Sequence, residues 1–310
     1  MMLSRIAESL FWIGRYVERA DGTARILDVH LQLLLEDPWV EEDVACRALL
    51  GVMGSHAEDD SPVTRSDLLI TLGVDRESPA SIAYCLDQAR ENARRAREVV
   101  STELWEVLNT TRSRVPRKVA PDKVHEFFAW VRERSALAVG TVDSSTSRDE
   151  AWSFFTLGRS LERVDMTARL LSTSALVEAG GPSWTTILRS CGGYEAYLRT
   201  YRGMPSAENA AEFLILDRLF PRSILFSLMR AEKCLHDIEP RSDRAGVSDQ
   251  ALRVLGQIRS DLEFSPITRI ISNLTENMDS IQAGVSDVSE GIRQRYFPVL
   301  QAPIWVREDA

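Results

Sequence analysis

The sequence has no run approaching the roughly 18 consecutive apolar residues that a membrane-spanning helix needs, so no membrane insertion is expected. Cysteine is scarce: Cys46, Cys85, Cys191 and Cys234 lie far apart and form no CxxC pair. Few scattered thiols in a long chain fit a reducing compartment better than a disulfide framework. The four histidines, His30, His56, His125 and His236, stand alone, without an HExxH or a Cys/His spacing, so no metal site is expected. There is no Gly-rich phosphate loop, which argues against ATP binding by this chain alone, and no cofactor is expected. Nothing marks a nucleophile beside its base. In Cys234-Leu-His236-Asp237, residues two apart on a helix point in different directions. An excess of basic charge is also missing. The net charge of −9 argues against a general nucleic-acid binder, because phosphates call for a basic surface. In MMLSRIAESLFWIGRYVER, Arg5, Glu8 and Arg15 interrupt the apolar pattern, so a signal peptide is not expected and the cytoplasm is the expected location.

What is present reads as an all-α chain. Hydrophobic residues make up 44% and charged residues 27%, the balance of a globular protein. Leu3, Ile6, Leu10, Ile13, Val17, Ala20, Ala24, Leu27, Leu31 and Leu34 recur at steps of three and four, which predicts a long helix with one apolar seam. Prolines such as Pro79, Pro121, Pro221 and Pro266 fall at the edges of periodic segments. Ser78-Pro79 and Ser265-Pro266 read as a helix cap followed by proline in the first turn. Helices are predicted at about 3–36, 40–54, 79–111, 120–139, 146–178, 183–201, 207–216, 221–237, 247–263 and 266–295. The polar stretches 55–66 and 239–246 should be the least ordered.

The chain also repeats itself. Residues 7–27 and 151–171 are identical at 12 of 21 positions without a gap. A second echo links 79–89 to 221–231, through Pro79/Pro221, Ser81/Ser223, Ile82/Ile224, Leu86/Leu228 and Ala89/Ala231. Two matches in the same order imply duplication of a unit of roughly 140 residues. The expected architecture is a pair of helical halves, 1–140 and 141–310, whose bundles pack together as one unit about an approximate twofold.

Within the repeat, charge is preserved more strictly than apolar identity. Gly14, Arg15, Glu18, Arg19, Asp21, Thr23, Ala24 and Arg25 recur as Gly158, Arg159, Glu162, Arg163, Asp165, Thr167, Ala168 and Arg169, while Ile13, Val17 and Ala20 become Leu157, Leu161 and Val164. At 100° per residue, Gly14, Glu18, Asp21 and Arg25 form a stripe beside the apolar seam, with Arg15 on its far flank and Arg19 further round. One reading is a set of interhelical ion pairs that fix the packing. The other is a polar pocket where the two motifs face each other, its arginines suited to a carboxylate or phosphate. Gly14 and Gly158 would let a neighbouring helix or ligand approach closely. A second basic cluster, Arg90, Arg94 and Arg97, reads either as a solvated helix face or as partners for Glu18, Asp21, Glu162 or Asp165. Arg202 and Arg222, at helix ends, read as capping residues or as completing an anion pocket.

These segments, together with ARENARRAREVVSTELWEVLN at 89–109, YRG at 201–203 and FPRSI at 220–224, resemble the alpha-E family, named for its helical nature and its Glu-Arg motif. One departure is Ser78 before Pro79, where the family pattern suggests Asn. The resemblance implies a bacterial family whose members accompany a circularly permuted ATP-grasp ligase and a transglutaminase-like protein. It therefore implies a non-catalytic accessory or substrate-binding partner of a peptide or amide ligase system, with a peptide or anionic small molecule as possible ligand. The alternative is an enzyme of peptide or amide chemistry using Glu18 or Glu162 as acid/base. The accessory reading calls for an exposed aromatic patch, with Trp105, Trp130, Tyr296, Phe297 and Trp305 as candidates.

Overall fold

A computed structural model describes residues 2–36, 41–56, 61–172, 183–240 and 244–298, and among them every regular element is a helix. The first part of the chain forms α1 (Ser4–Glu36), α2 (Glu42–Val52), α3 (Arg65–Leu69, continued by a π turn over Ile70–Val74), α4 (Ile82–Arg95), α5 (Thr102–Arg114) and α6 (Val124–Ser145). The remainder forms α7 (Glu150–Ser172), α8 (Trp184–Ser190), α9 (Tyr194–Tyr201), α10 (Ala207–Leu216), α11 (Ile224–Ile238), α12 (Gln250–Glu263), α13 (Ile267–Ser272) and α14 (Leu274–Tyr296).

Most of the predicted apolar seam of α1 is buried, with Leu10, Ile13, Val17, Ala20, Ala24 and Leu27 in the core, while Leu3 lies before the helix and is exposed and Leu34 is half-buried. This helix packs on α4 and α6, and α5 rests against both of those. In the same manner α7 packs on α11 and α14, and α12 rests against both. The two groups meet through α1 and α7. Eighteen of the 23 residues of α7 are buried, so it is a central helix covered on nearly every side. A helix so covered that still carries Arg159, Glu162, Arg163 and Asp165 must pair those charges inside the protein.

Several expected helices are broken, at Ala96, Gly192 and Asn273. The expected helix at 79–111 divides at Ala96, and α5 restarts where Ser101 Oγ accepts from the Leu104 amide at 3.1 Å. Its start is capped by Ser81, whose Oγ accepts from the Tyr84 amide at 3.0 Å, rather than by Ser78. The span 183–201 is interrupted at Gly192, which has φ +62°. Asn273 separates α13 from α14. The stretch 65–74, its first two residues expected among the least ordered, is helical because Thr64 and Asp67 form a reciprocal capping box. The segment 173–178, expected to continue α7, lies outside the described residues.

Candidate functional site

The site begins with two glycines. A β-carbon at Gly14 would sit 2.1 Å from the Phe155 carbonyl oxygen, and one at Gly158 would sit 2.0 Å from that of Phe11. The backbones of α1 and α7 therefore touch, and no larger residue fits at either place. One helical turn further along, each helix points its motif glutamate at the other helix.

Glu162, with no exposed surface, receives Arg15 Nε at 2.7 Å and Arg19 Nε at 2.5 Å, and Arg19 Nη2 also donates to it at 3.1 Å. Glu18, 3% exposed, faces Arg159 Nε at 3.4 Å, Arg163 Nε at 2.8 Å and Arg222 Nη1 at 2.7 Å. The arrangement is reciprocal: arginines of α1 hold the glutamate of α7, and arginines of α7 hold the glutamate of α1. Arg222, from the turn before α11, also reaches Asp21, which accepts from Arg25 Nε at 2.9 Å. On the other side, Asp165 accepts from Arg169 Nε at 2.8 Å. Arg15 Nη1 extends the network to Ser289 Oγ on α14 at 2.9 Å. Glu18 Oε1 and Arg163 Nε lie off the hydrogen-bonding axis, so that contact is held by charge rather than by a directed bond.

Burial alone would raise the pKa of both glutamates. The charges of Arg163, Arg222 and Arg159 outweigh that for Glu18, and those of Arg19 and Arg15 do so for Glu162. Both carboxyls are held well below the ordinary carboxylate range and stay ionised at neutral pH. Burial, with Glu18 opposing it and Arg222 and Arg159 adding to it, lowers Arg163 to about 10, still charged at pH 7. Removing one member would leave buried charge uncompensated, a loss of roughly 3–5 kcal/mol in comparable networks.

The remaining candidates sit elsewhere. Arg90 donates to Asn109 at 3.2 Å and covers the Trp105 ring at 4.8 Å, Arg94 pairs with Glu91, and Arg97 is exposed beyond the end of α4. None of the three is paired with Glu18, Asp21, Glu162 or Asp165. Arg202 is exposed and ends α9 in the left-handed region, with φ +52°. Tyr296 and Phe297 are buried, Phe297 packing on Phe11 and Phe154, while Trp305 lies outside the described residues. Sequence reasoning left Arg19 and Arg163 out of the site, although each reaches the opposing glutamate. Their recurrence in both copies of the motif was the available signal. A recess of about 350 Å3 opens beside the network, where Trp12, Arg15, Arg169, Ser289 and Arg293 form part of the wall.

Uncharacterized proteins of Mycobacterium bovis and Mycobacterium tuberculosis are 24% identical to the chain over 335 aligned residues, covering 97% of it. The chain spans 38% of the length of these curated relatives. No solved structure matches it. Residues 2–297 match Alpha-E, described as a predicted alpha-helical domain with a conserved ER motif, and the reciprocal Glu18–Arg19 and Glu162–Arg163 pairs sit within that match: the chain belongs to the Alpha-E family.

Proposed function

We propose that this Alpha-E chain is a non-catalytic helical module that serves a cytoplasmic ATP-grasp-type peptide or amide ligase system as accessory or substrate-binding partner. We further propose that it is built from two copies of one helical unit related by an approximate twofold. The observation that carries the non-catalytic reading is the state of Glu18 and Glu162. A general acid near neutrality needs a raised pKa, and both depart in the opposite direction, with arginine charges on every acidic oxygen pair. Support for the duplication is the reciprocity of the contacts, Gly14 on Phe155 against Gly158 on Phe11, and Arg15/Arg19 on Glu162 against Arg159/Arg163 on Glu18. Support for work beside other domains is the relatives' length, most of which lies outside the match. The recess at Trp12 carries both signs of charge, Arg15, Arg169 and Arg293 beside Glu8, Asp165 and Glu290, which suits a peptide ligand.

Two measurements test the reading. Native co-purification from the source cell should recover an ATP-dependent ligase or a transglutaminase-like protein; recovery of the chain alone refutes the accessory role. Glu18→Gln and Glu162→Gln should lower stability in the purified chain. Loss of an intrinsic peptide-bond activity at unchanged stability would establish the enzyme reading instead.

A further inference from the structure

The two networks differ in the turn that precedes α4 and α11. Before α11 the chain reads Pro221-Arg222-Ser223: Ser223 Oγ accepts from the Phe226 amide at 3.1 Å and donates to the Asp217 carbonyl, and Arg163 reaches the Pro221 carbonyl at 3.3 Å. Before α4 it reads Pro79-Ala80-Ser81, with the same contacts. Ser81 Oγ accepts from the Tyr84 amide at 3.0 Å and donates to the Asp75 carbonyl, and Arg19 reaches the Pro79 carbonyl at 3.5 Å. The flanking turns correspond as well. Gly192 (φ +62°) lies against Arg25 and Gly54 (φ +73°) against Arg169. Ala80 thus stands where Arg222 stands. The Arg222 guanidinium joins Glu18 to Asp21. A methyl group cannot join Glu162 to Asp165, and a cavity of about 250 Å3 opens at that place, lined by Arg19, Gly54, Ala80, Glu162, Asp165 and Arg169 among others.

We propose that this cavity binds a guanidinium or primary ammonium group carried by a ligand, which takes the position in the first network that the Arg222 side chain holds in the second. Equating Ala80 with Arg222 rests on the two-copy reading above; the cavity and its two carboxylates do not. The volume is below the roughly 300–1,000 Å3 that encloses a drug-sized ligand, so the site recognises one functional group rather than a whole molecule. The arginines in its wall do not argue for an anion. Arg19 Nε is committed to Glu162 and Arg169 Nε to Asp165, as Arg163 and Arg25 face Glu18 and Asp21 on the other side. There a guanidinium sits between two arginines because two carboxylates, Glu18 and Asp21, flank it, and the corresponding pair, Glu162 and Asp165, lines this cavity. A planar guanidinium can address both at once.

Isothermal titration calorimetry of the full chain with methylguanidinium chloride, against sodium chloride at equal ionic strength, tests the proposal. Saturable one-site binding is expected. Asp165→Asn should weaken it about tenfold or more, since a charged hydrogen-bond partner is lost. Ala80→Arg supplies the group from the chain itself; it should abolish binding and raise the melting temperature. Arg222→Ala opens the matching cavity on the other side and should melt lower than wild type, regaining part of the difference in methylguanidinium but not in sodium chloride. No saturable binding to wild type, or binding indifferent to both Ala80→Arg and Asp165→Asn, overturns the proposal. Binding to wild type without rescue of Arg222→Ala would overturn the two-copy reading and leave the cavity assignment standing. Free L-arginine against an end-blocked arginine peptide then separates a small-molecule source of the group from a partner protein's side chain.

Discussion

Gly14→Ala puts the helix crossing to its sharpest test, because local propensity and tertiary packing predict opposite signs. In an open helix the change gains about 1 kcal/mol. At Gly14 the new β-carbon would lie 2.1 Å from the Phe155 carbonyl oxygen, against the 3.0 Å below which real contacts essentially never fall. The obstacle is backbone, so α1 and α7 must part by roughly 0.9 Å at the crossing. The Arg15–Glu162 bond, 2.7 Å and within a turn of it, would then stretch past hydrogen-bonding range. Overpacking costs about 1–3 kcal/mol and a weakened charged bond about 1.5–3, so the net loss is about 1.5–5 kcal/mol after the helix gain. Urea unfolding followed by circular dichroism measures it. Gly51→Ala and Gly140→Ala, with nothing within 4 Å of the added carbon, are the controls and should be neutral or stabilising by up to about 1 kcal/mol. Gly14→Ala combined with Gly158→Ala should cost less than the two separately, because the first change has already parted the helices. An unfolding midpoint for Gly14→Ala at or above wild type would refute the packing argument.

Glu162→Gln should lose about 3–5 kcal/mol in the same assay, since Arg15 and Arg19 are left buried without their countercharge; a loss below about 1 kcal/mol would show the network to be dispensable. The folded pKa values of Glu18 and Glu162 are depressed, so their stabilisation is fully present above the ordinary value of 4.5 and is lost as pH falls below it towards the folded values. Melting temperature should therefore drop with acidification in that window, and less steeply in the Gln variants. Burial pushes all four thiols, Cys46, Cys85, Cys191 and Cys234, up to about 12, so a thiol reagent should find none in the native chain and four after unfolding. Arg202→Gly should stabilise by about 1 kcal/mol by relieving a left-handed non-glycine residue; destabilisation would mean that the arginine side chain holds something in place.

The long helices and the central crossing were legible because they rest on periodic signals. Ten alternating apolar positions mark α1, and the doubled Gly-Arg…Glu-Arg pattern marks its meeting place with α7. What one strand of sequence could not give was direction across the interface. Arg19 lies off the stripe on a helical wheel, yet its side chain is long enough to reach Glu162 from the flank. Arg90 and Arg94 satisfy the same wheel argument and turn instead to Asn109 and Glu91, close by in the chain. Breaks such as Ala96–Ser101 escaped because an apolar seam can continue in register across a turn, while a single serine hydroxyl decides where the next helix starts. Tyr296 and Phe297 read as free aromatics until the fold placed Phe11 and Phe154 over them.

The meeting of α1 with α7 also sets an order of events during synthesis. Arg19 and Glu162 are 143 positions apart, so at about 5–20 residues per second a ribosome needs roughly 7–30 s to deliver the second after the first. Within that interval α4 and α6 emerge and can cover one side of α1, while the face bearing Gly14, Arg15 and Glu18 waits. A neighbouring nascent chain on the same message offers the α7 that this face fits. Tight spacing of ribosomes therefore favours exchange of partners between chains, and slow translation of the stretch before α7 lengthens the exposure.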